Sequence, residues 1–336
     1  MKISILLILS TMFISNMASA NSLNIYSHRQ PYLLKPFIDA FTKKTGVKLN
    51  VVYSSKGLAQ RLAAEGVNSP ADLILTVDIG RLHRYQDLGL LAKINSEVLK
   101  NNIPSYLRSK DNTWFGLSKR TRAIAISKKR MNPEEVLRYE DLANQKLKGK
   151  VCSRPGSHVY NRALMASIIA AHGEEKAEKW ARGLVSNLAK RPQGNDRSQL
   201  KSIYSGECDV AIINHYYYGK LTYSKNIDHR KWAKASIIIF PNQENGDRGA
   251  HVNISGGGVV KFSKNKEMAI KFLEFLVGEE AQTLYGKVNF EYPINNKSKL
   301  PSKLKALGSF REDNLLISDI AKLAPKAQEI IDKVYW

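Results

Sequence analysis

Apolar positions along the chain switch repeatedly between a helical period and a strand period. Leu23 to Tyr26 reads as a short strand. From Pro31 to Lys44, Leu34, Phe37, Ile38 and Phe41 fall at i, i+3, i+4 and i+7, which predicts a helix with one buried face. Thr45-Gly46 closes that helix. Val47 to Tyr53 is β-branched and alternating, hence a strand. Helices over Gly57–Glu65 and Ile79–Leu88 then bracket an apolar strand, Asp72–Val77. Strands alternating with helices across short connections predict a parallel or mixed sheet covered by helices.

Trp114 to Ser127 is extended and ends on Ile124, Ala125 and Ile126. A second α/β stretch follows. Its predicted strands are Gly149–Ser153, Asp209–Ile213, Ser236–Phe240 and Asn253–Val260. Its predicted helices are Asn161–Ala171, Glu174–Ala189, Asp196–Tyr204 (with Asn195 as cap) and Lys264–Val277. Leu315 to Val334 reads as helix interrupted at Pro325. No Pro/Ser-rich tether separates the halves, so two domains would be joined by strands.

The first twenty residues set the compartment. Lys2, an apolar run from Ile3 to Ile14 and the small residues Ala18-Ser19-Ala20 form an export leader, with Asn21 as the mature start. The run is shorter than the ~20 residues a membrane span requires. Lys and Arg number 52 against 30 Asp and Glu, a formal charge of +22. That surplus first suggests nucleic acid, an anionic surface or an anionic ligand. Export removes nucleic acid from consideration. It also provides an oxidising environment for the two cysteines, Cys152 and Cys208, for which a disulfide and two separate buried thiols both remain open.

Motifs for nucleophilic, zinc or phosphate-loop chemistry are absent: there is no GxSxG, HExxH, Walker A, GxGxxG or EF-hand loop. Gly256-Gly257-Gly258 lacks the lysine of a phosphate loop and reads as a close backbone approach. The unusual feature is Asn214-His215-Tyr216-Tyr217-Tyr218-Gly219, directly after the apolar strand Val210–Ile213. Strand ends are where open α/β sheets bind ligands. Neighbouring strand residues face opposite ways, so two adjacent phenols can share a ligand only if the backbone bends there. A phenol has an ordinary pKa of about 10 and becomes a hard anionic donor beside a highly charged cation. That chemistry suits Fe³⁺. An aromatic packing cluster is the competing reading, and the one assigned to Tyr218.

With these residues in view, the chain resembles the ferric-iron-binding periplasmic proteins of bacterial ABC importers. The resemblance spans the mature chain. It rests on Asn24–Pro31, Pro70–Asp78, Trp114–Arg122, Pro192–Arg197, Asn289–Pro293 and, above all, Tyr216-Tyr217. It implies a two-lobed periplasmic binding protein of α/β class, type II-like, with each lobe a mixed sheet flanked by helices and the lobes joined by crossing hinge strands. The lobes are expected at 21–120 plus about 252–295, and at about 121–251 plus 296–336.

The resemblance further implies Tyr216 and Tyr217 as iron ligands, Tyr160 as a third, and His28 or Tyr32 as a further candidate. A synergistic anion such as carbonate would be held by the planar guanidinium forks of Arg122 and Arg120. The expected role is capture of Fe³⁺ in the periplasm and delivery to an inner-membrane ABC permease, by a monomer without catalysis. Two alternatives stand beside it. In one, the same fold binds a small organic or inorganic anion through Arg29, Arg120, Arg122 and Arg197. In the other, a basic exported protein binds an anionic surface polymer, with Lys128-Lys129-Arg130 as its best feature.

Overall fold

The computed structural model describes residues 22–295 and 298–336; the leader lies outside them. Nine strands organise the molecule: β1 (Ser22–Ser27), β2 (Lys48–Tyr53), β3 (Leu73–Thr76), β4 (Phe115–Ser127), β5 (Val151–Cys152), β6 (Val210–Asn214), β7 (Ser236–Ile239), β8 (Val252–Val259) and β9 (Tyr292–Pro293). Their order is β2-β1-β3-β8-β4-β6-β5, with β7 and β9 also pairing to β4. β1 runs parallel to β2 and β3, whereas β8 is antiparallel to β3 and β4. The sheets are therefore mixed, as the alternation of elements predicts.

β4 belongs to both sheets. Phe115 to Thr121 pairs with β8; from Arg122 onward the partners are β6 and β7. All thirteen residues of β4 are buried, so the polar run Lys119-Arg120-Thr121-Arg122 crosses between the two sheets out of water. The hydrophobic cores lie to either side. Phe37, Phe41, Leu73, Phe115, Ile254 and Phe272 belong to the first. Past the crossing, strand alternation splits β4 and β6 between two layers. Ile124, Ile126, Val210 and Ile212 join Tyr139, Leu164 and Trp180 on one face, and Ala125, Ala211 and Ile213 join Ile203 on the other.

Close approach explains the triple glycine. A Cβ on Gly256 would lie 2.6 Å from Leu82 Cδ2, and one on Gly258 would lie 2.7 Å from the Thr113 carbonyl oxygen. β8 can slot between β3 and β4 only without side chains there. Cys152 and Cys208 form a disulfide, with Cα atoms 5.9 Å apart, which resolves the alternative left by the sequence.

The carboxy-terminal segment packs on both cores. Ile317 and Ala321 pack into the first core, while Ile320, Ile330 and Ile331 pack into the second. Pro325 falls in the first turn of the helix Ala324–Val334, which follows the separate helix Ile317–Lys322. Among the described residues no helix is long and apolar enough to cross a membrane.

Candidate metal centre

The tyrosine run opens a helix. β6 ends at Asn214, and the helix His215–Thr222 begins at the next residue. The bend that two adjacent phenols require is this strand-to-helix turn. Successive helical residues project about 100° apart. The Tyr216 and Tyr217 rings accordingly lie beside each other, 4.6 Å between centroids. Tyr216 is buried and Tyr217 half-buried. Tyr218 turns away to pack on the third hydrophobic layer, its hydroxyl donating to the Ser236 carbonyl at 3.3 Å.

Tyr160 comes from a second strand-to-helix connection. β5 leads through Ser153–His158 into the helix Val159–His172. The His158 side chain caps that helix by accepting from the Tyr160 backbone N–H at 3.3 Å. The Tyr160 ring lies beneath two guanidiniums, with the central carbons of Arg120 and Arg154 5.3 and 5.2 Å from its centroid. Arg197 lies 5.0 Å over the Tyr217 ring and Lys220 Nζ 5.7 Å over that of Tyr216. Cations over aromatic faces are attractive, but here they also surround phenol oxygens.

The three phenols are near enough to act on one another. Burial raises the Tyr216 pKa well above its ordinary 10; Tyr160, Tyr217 and Asp196 add to the shift, while Arg120 opposes it. Tyr217 is pushed up to about 12, again chiefly by burial, with Asp196 and Tyr160 adding and Arg154 and a hydrogen bond with Tyr216 opposing. Without a cation Tyr216 and Tyr217 are thus neutral at physiological pH. Among the described residues no group of three or more His, Cys, Asp or Glu could hold a metal, so phenol oxygens are the distinctive donors.

A buried polar network supports the cluster. Asn214 donates to the Tyr216 hydroxyl at 3.0 Å and accepts from Arg122 Nη1 at 3.1 Å. Arg122 also donates to Asp196 at 3.2 Å and to Asn161 at 2.6 Å. Asp196 is fully buried and takes a longer contact, 3.5 Å, from Arg154. Both terminal nitrogens of Arg122 are therefore committed to protein acceptors, while its buried Nε–H has no partner among the described residues. Arg120 donates to Ser255 at 2.9 Å and to the Ile254 carbonyl at 3.0 Å. Arg29 is buried against Glu291 at 2.9 Å.

The remaining predicted ligands are His28 and Tyr32. His28 has both ring nitrogens engaged, by the Ser54 carbonyl at 2.8 Å and the Tyr85 hydroxyl at 3.0 Å. Tyr32 is 62% exposed. The sequence reading omits Asn161, Asn214, Arg154 and Asp196. Asn214 stands two residues before Tyr216, and Asp196 directly follows a predicted cap; those positions are the available signals.

A cleft of about 1000 Å³ is lined by His28 on one side and by Arg154, His158 and Val159, the residue before Tyr160, on the other. Lys56, Arg81 and Arg84 line it from the first lobe, and Arg154, Arg162 and Lys322 from the second. Asp87 is its one carboxylate among the described residues.

Comparison with known proteins gives this arrangement a context. The model of the bacterial extracellular solute-binding protein family matches residues 26–283. Iron uptake protein A1 of Synechocystis sp. is 41% identical, over 94% of this chain and 87% of its own length. The ferric binding protein from Campylobacter jejuni superposes with a TM-score of 0.89 at 41% identity, covering 93% of this chain and 99% of that one. A Trichodesmium protein (IdiA, FutA), solved in complex with iron and citrate ligands, has a TM-score of 0.88 at 45% identity over 94% and 99% of the two chains. With two lobes sharing a crossing strand, a cleft between them and a family match over most of its length, this chain belongs to the bacterial extracellular solute-binding proteins.

Proposed function

We propose that this protein captures Fe³⁺ through the phenolates of Tyr216, Tyr217 and Tyr160 and hands it to an ABC permease as the periplasmic carrier of an iron importer. The observation that carries this reading is the convergence of three phenols from two strand-to-helix turns, ringed by guanidiniums. Phenols that are neutral without a cargo become strong, hard donors beside a trivalent cation, which favours their charged form. The relatives' names, iron uptake protein and ferric binding protein, support the same cargo. The leader at residues 1–20 supports export, and the absence of a recognisable catalytic motif favours a carrier over an enzyme.

Charge supports a second component. Arg29, Arg120, Arg122, Arg154 and Arg197 surround the phenols, with Glu291 and Asp196 as the carboxylates paired to them. Three phenolates neutralise Fe³⁺ and leave that cationic excess in place, so an anion such as carbonate, or the carboxylates of a chelator, would complete the site. Arg120 and Arg154, which face Tyr160, suit this role better than Arg122. His28 and Tyr32 are proposed as bystanders in this state.

Loading with ferric iron tests the proposal: tyrosinate-to-iron charge transfer should colour the protein. A colourless protein that retains iron equally well as Tyr216→Phe/Tyr217→Phe would refute it. The alternative, a carrier of a small anion alone, draws on the cationic cleft; it predicts calorimetric binding of oxyanions that is indifferent to iron.

A further inference from the structure

Trp336 follows the helix Ala324–Val334 and lies far along the chain from the tyrosines, yet it is 6% exposed and built into the loop that carries Tyr160. Its indole N–H donates to Ser153 Oγ at 3.1 Å. Its backbone oxygen accepts from the Gly156 N–H at 3.0 Å. A Cβ on Gly156 would come within 2.7 Å of Trp336 Cγ, so only glycine lets the loop lie this close. On its other side the indole meets Trp180 edge-to-face, 5.7 Å between centroids, in the second core.

The loop passes this fixation on. Ser153 Oγ also accepts from Asn161 Nδ2 at 3.1 Å, and the same amide reaches the Arg154 carbonyl at 3.0 Å. Asn161 adjoins Tyr160 and accepts from Arg122 at 2.6 Å. Trp336 thereby holds the turn at Ser153 and Gly156, and Ser153 ties it to Asn161; Arg154 and Tyr160 belong to this segment.

We propose that Trp336 is a positioning residue for Tyr160, setting the phenol's distance and angle to the cargo without touching it. The inference rests on Tyr160 being a ligand. Ligand orientation by supporting hydrogen bonds changes metal affinity by roughly 10–100-fold when removed. One step further out, loss on the order of tenfold is expected.

The test uses Trp336→Phe, which keeps an aromatic ring against Trp180 and removes the N–H to Ser153. The variant should keep its circular-dichroism spectrum, bind Fe³⁺ about tenfold more weakly, and show a shifted visible charge-transfer maximum. In a Tyr160→Phe background the same substitution should change neither quantity further. An unshifted band with unchanged affinity in Trp336→Phe would overturn the proposal, as would an equal effect with Tyr160 absent. If Tyr160→Phe itself leaves both band and affinity intact, the ligand assignment of Tyr160 fails instead.

Discussion

The side-chain amide of Asn214 donates a hydrogen bond to the Tyr216 hydroxyl oxygen at 3.0 Å. An oxygen that receives a donor is better able to hold negative charge, so this contact favours the phenolate. Because Arg122 holds the other end of the amide, the donor nitrogen is turned toward Tyr216 and not away from it. Asn214→Ala should weaken ferric binding by about 10–100-fold and move the charge-transfer maximum. Competition against a chelator of known affinity measures the first, and absorption the second. Wild-type values for both would show that the contact is incidental.

The tyrosines themselves should differ in consequence. Tyr216→Phe and Tyr217→Phe each remove a donor and a phenolate charge, and the pair should remove all of the visible absorption except what Tyr160 contributes. Tyr218→Phe should leave the spectrum unchanged, since that hydroxyl reaches the Ser236 carbonyl. Visible titration of the four variants with iron decides this.

Iron uptake should release protons. Burial pushes Tyr217 up to about 12 and Tyr216 well above its ordinary 10, so both are protonated in the iron-free protein at neutral pH. Each must lose its proton on binding. Affinity for Fe³⁺ should therefore fall as pH falls, by about tenfold per pH unit for each phenol. Proton counting in weakly buffered solution should give at least two protons per iron, and a pH-independent uptake would contradict tyrosinate ligation.

Acid should also destabilise the iron-free fold through His251. This ring is fully buried, has no hydrogen-bond partner on either nitrogen among the described residues, and is held well below its ordinary pKa of 6.5 by burial, with Arg248, Arg122 and Arg120 adding to the effect. The unfolded chain takes up a proton near 6.5, whereas the folded chain resists it. Its contribution is thus fully present above 6.5 and is lost progressively as pH falls below that value. His251→Leu should flatten this part of the curve of thermal midpoint against pH, while an unaltered slope would assign acid lability to other groups.

Removing the disulfide should cost stability more than function. Cys152 and Cys208 are 56 residues apart in sequence, and closing a loop of that size contributes about 4 kcal/mol in the chain-entropy account. The bond lies in the third hydrophobic layer, where Tyr218 packs and Tyr216 does not. Cys152→Ala/Cys208→Ala should unfold at lower denaturant concentration and still colour with iron. Loss of colour in the folded variant would mean that the bond shapes the site.

Much of this molecule is legible from residue pattern. Leu34, Phe37 and Phe41 mark a buried helical face at helical spacing, and all three are buried in the helix Pro31–Thr45. Asn195 caps the helix Asp196–Ser205 as its side chain suggests, accepting from the N–H groups of Arg197 and Ser198. The helix at Tyr216 escapes detection because His, Tyr and Gly are weak helix formers and it is only eight residues long. Tertiary contacts decide it: His215 Nε2 donates to the Phe290 carbonyl at 2.7 Å, and Phe290 is 75 residues away. The fate of Arg122 is hidden for the same reason. Nothing local announces that Asp196, 74 residues on, will occupy its guanidinium.

The insertion of β8 between β3 and β4 also governs the order in which the chain can assemble. β3 and β4 belong to the first lobe, yet the strand that joins them begins at Val252, after the whole second α/β stretch. A nascent chain ending before that point has two facing, unpaired strand edges in its first half, the kind of surface that recruits foreign strands. Pairing at such sequence separation is slow to form. The first lobe is therefore the first to be synthesised and cannot be the first to be completed, and the interval between those events is when this protein is most exposed to aggregation.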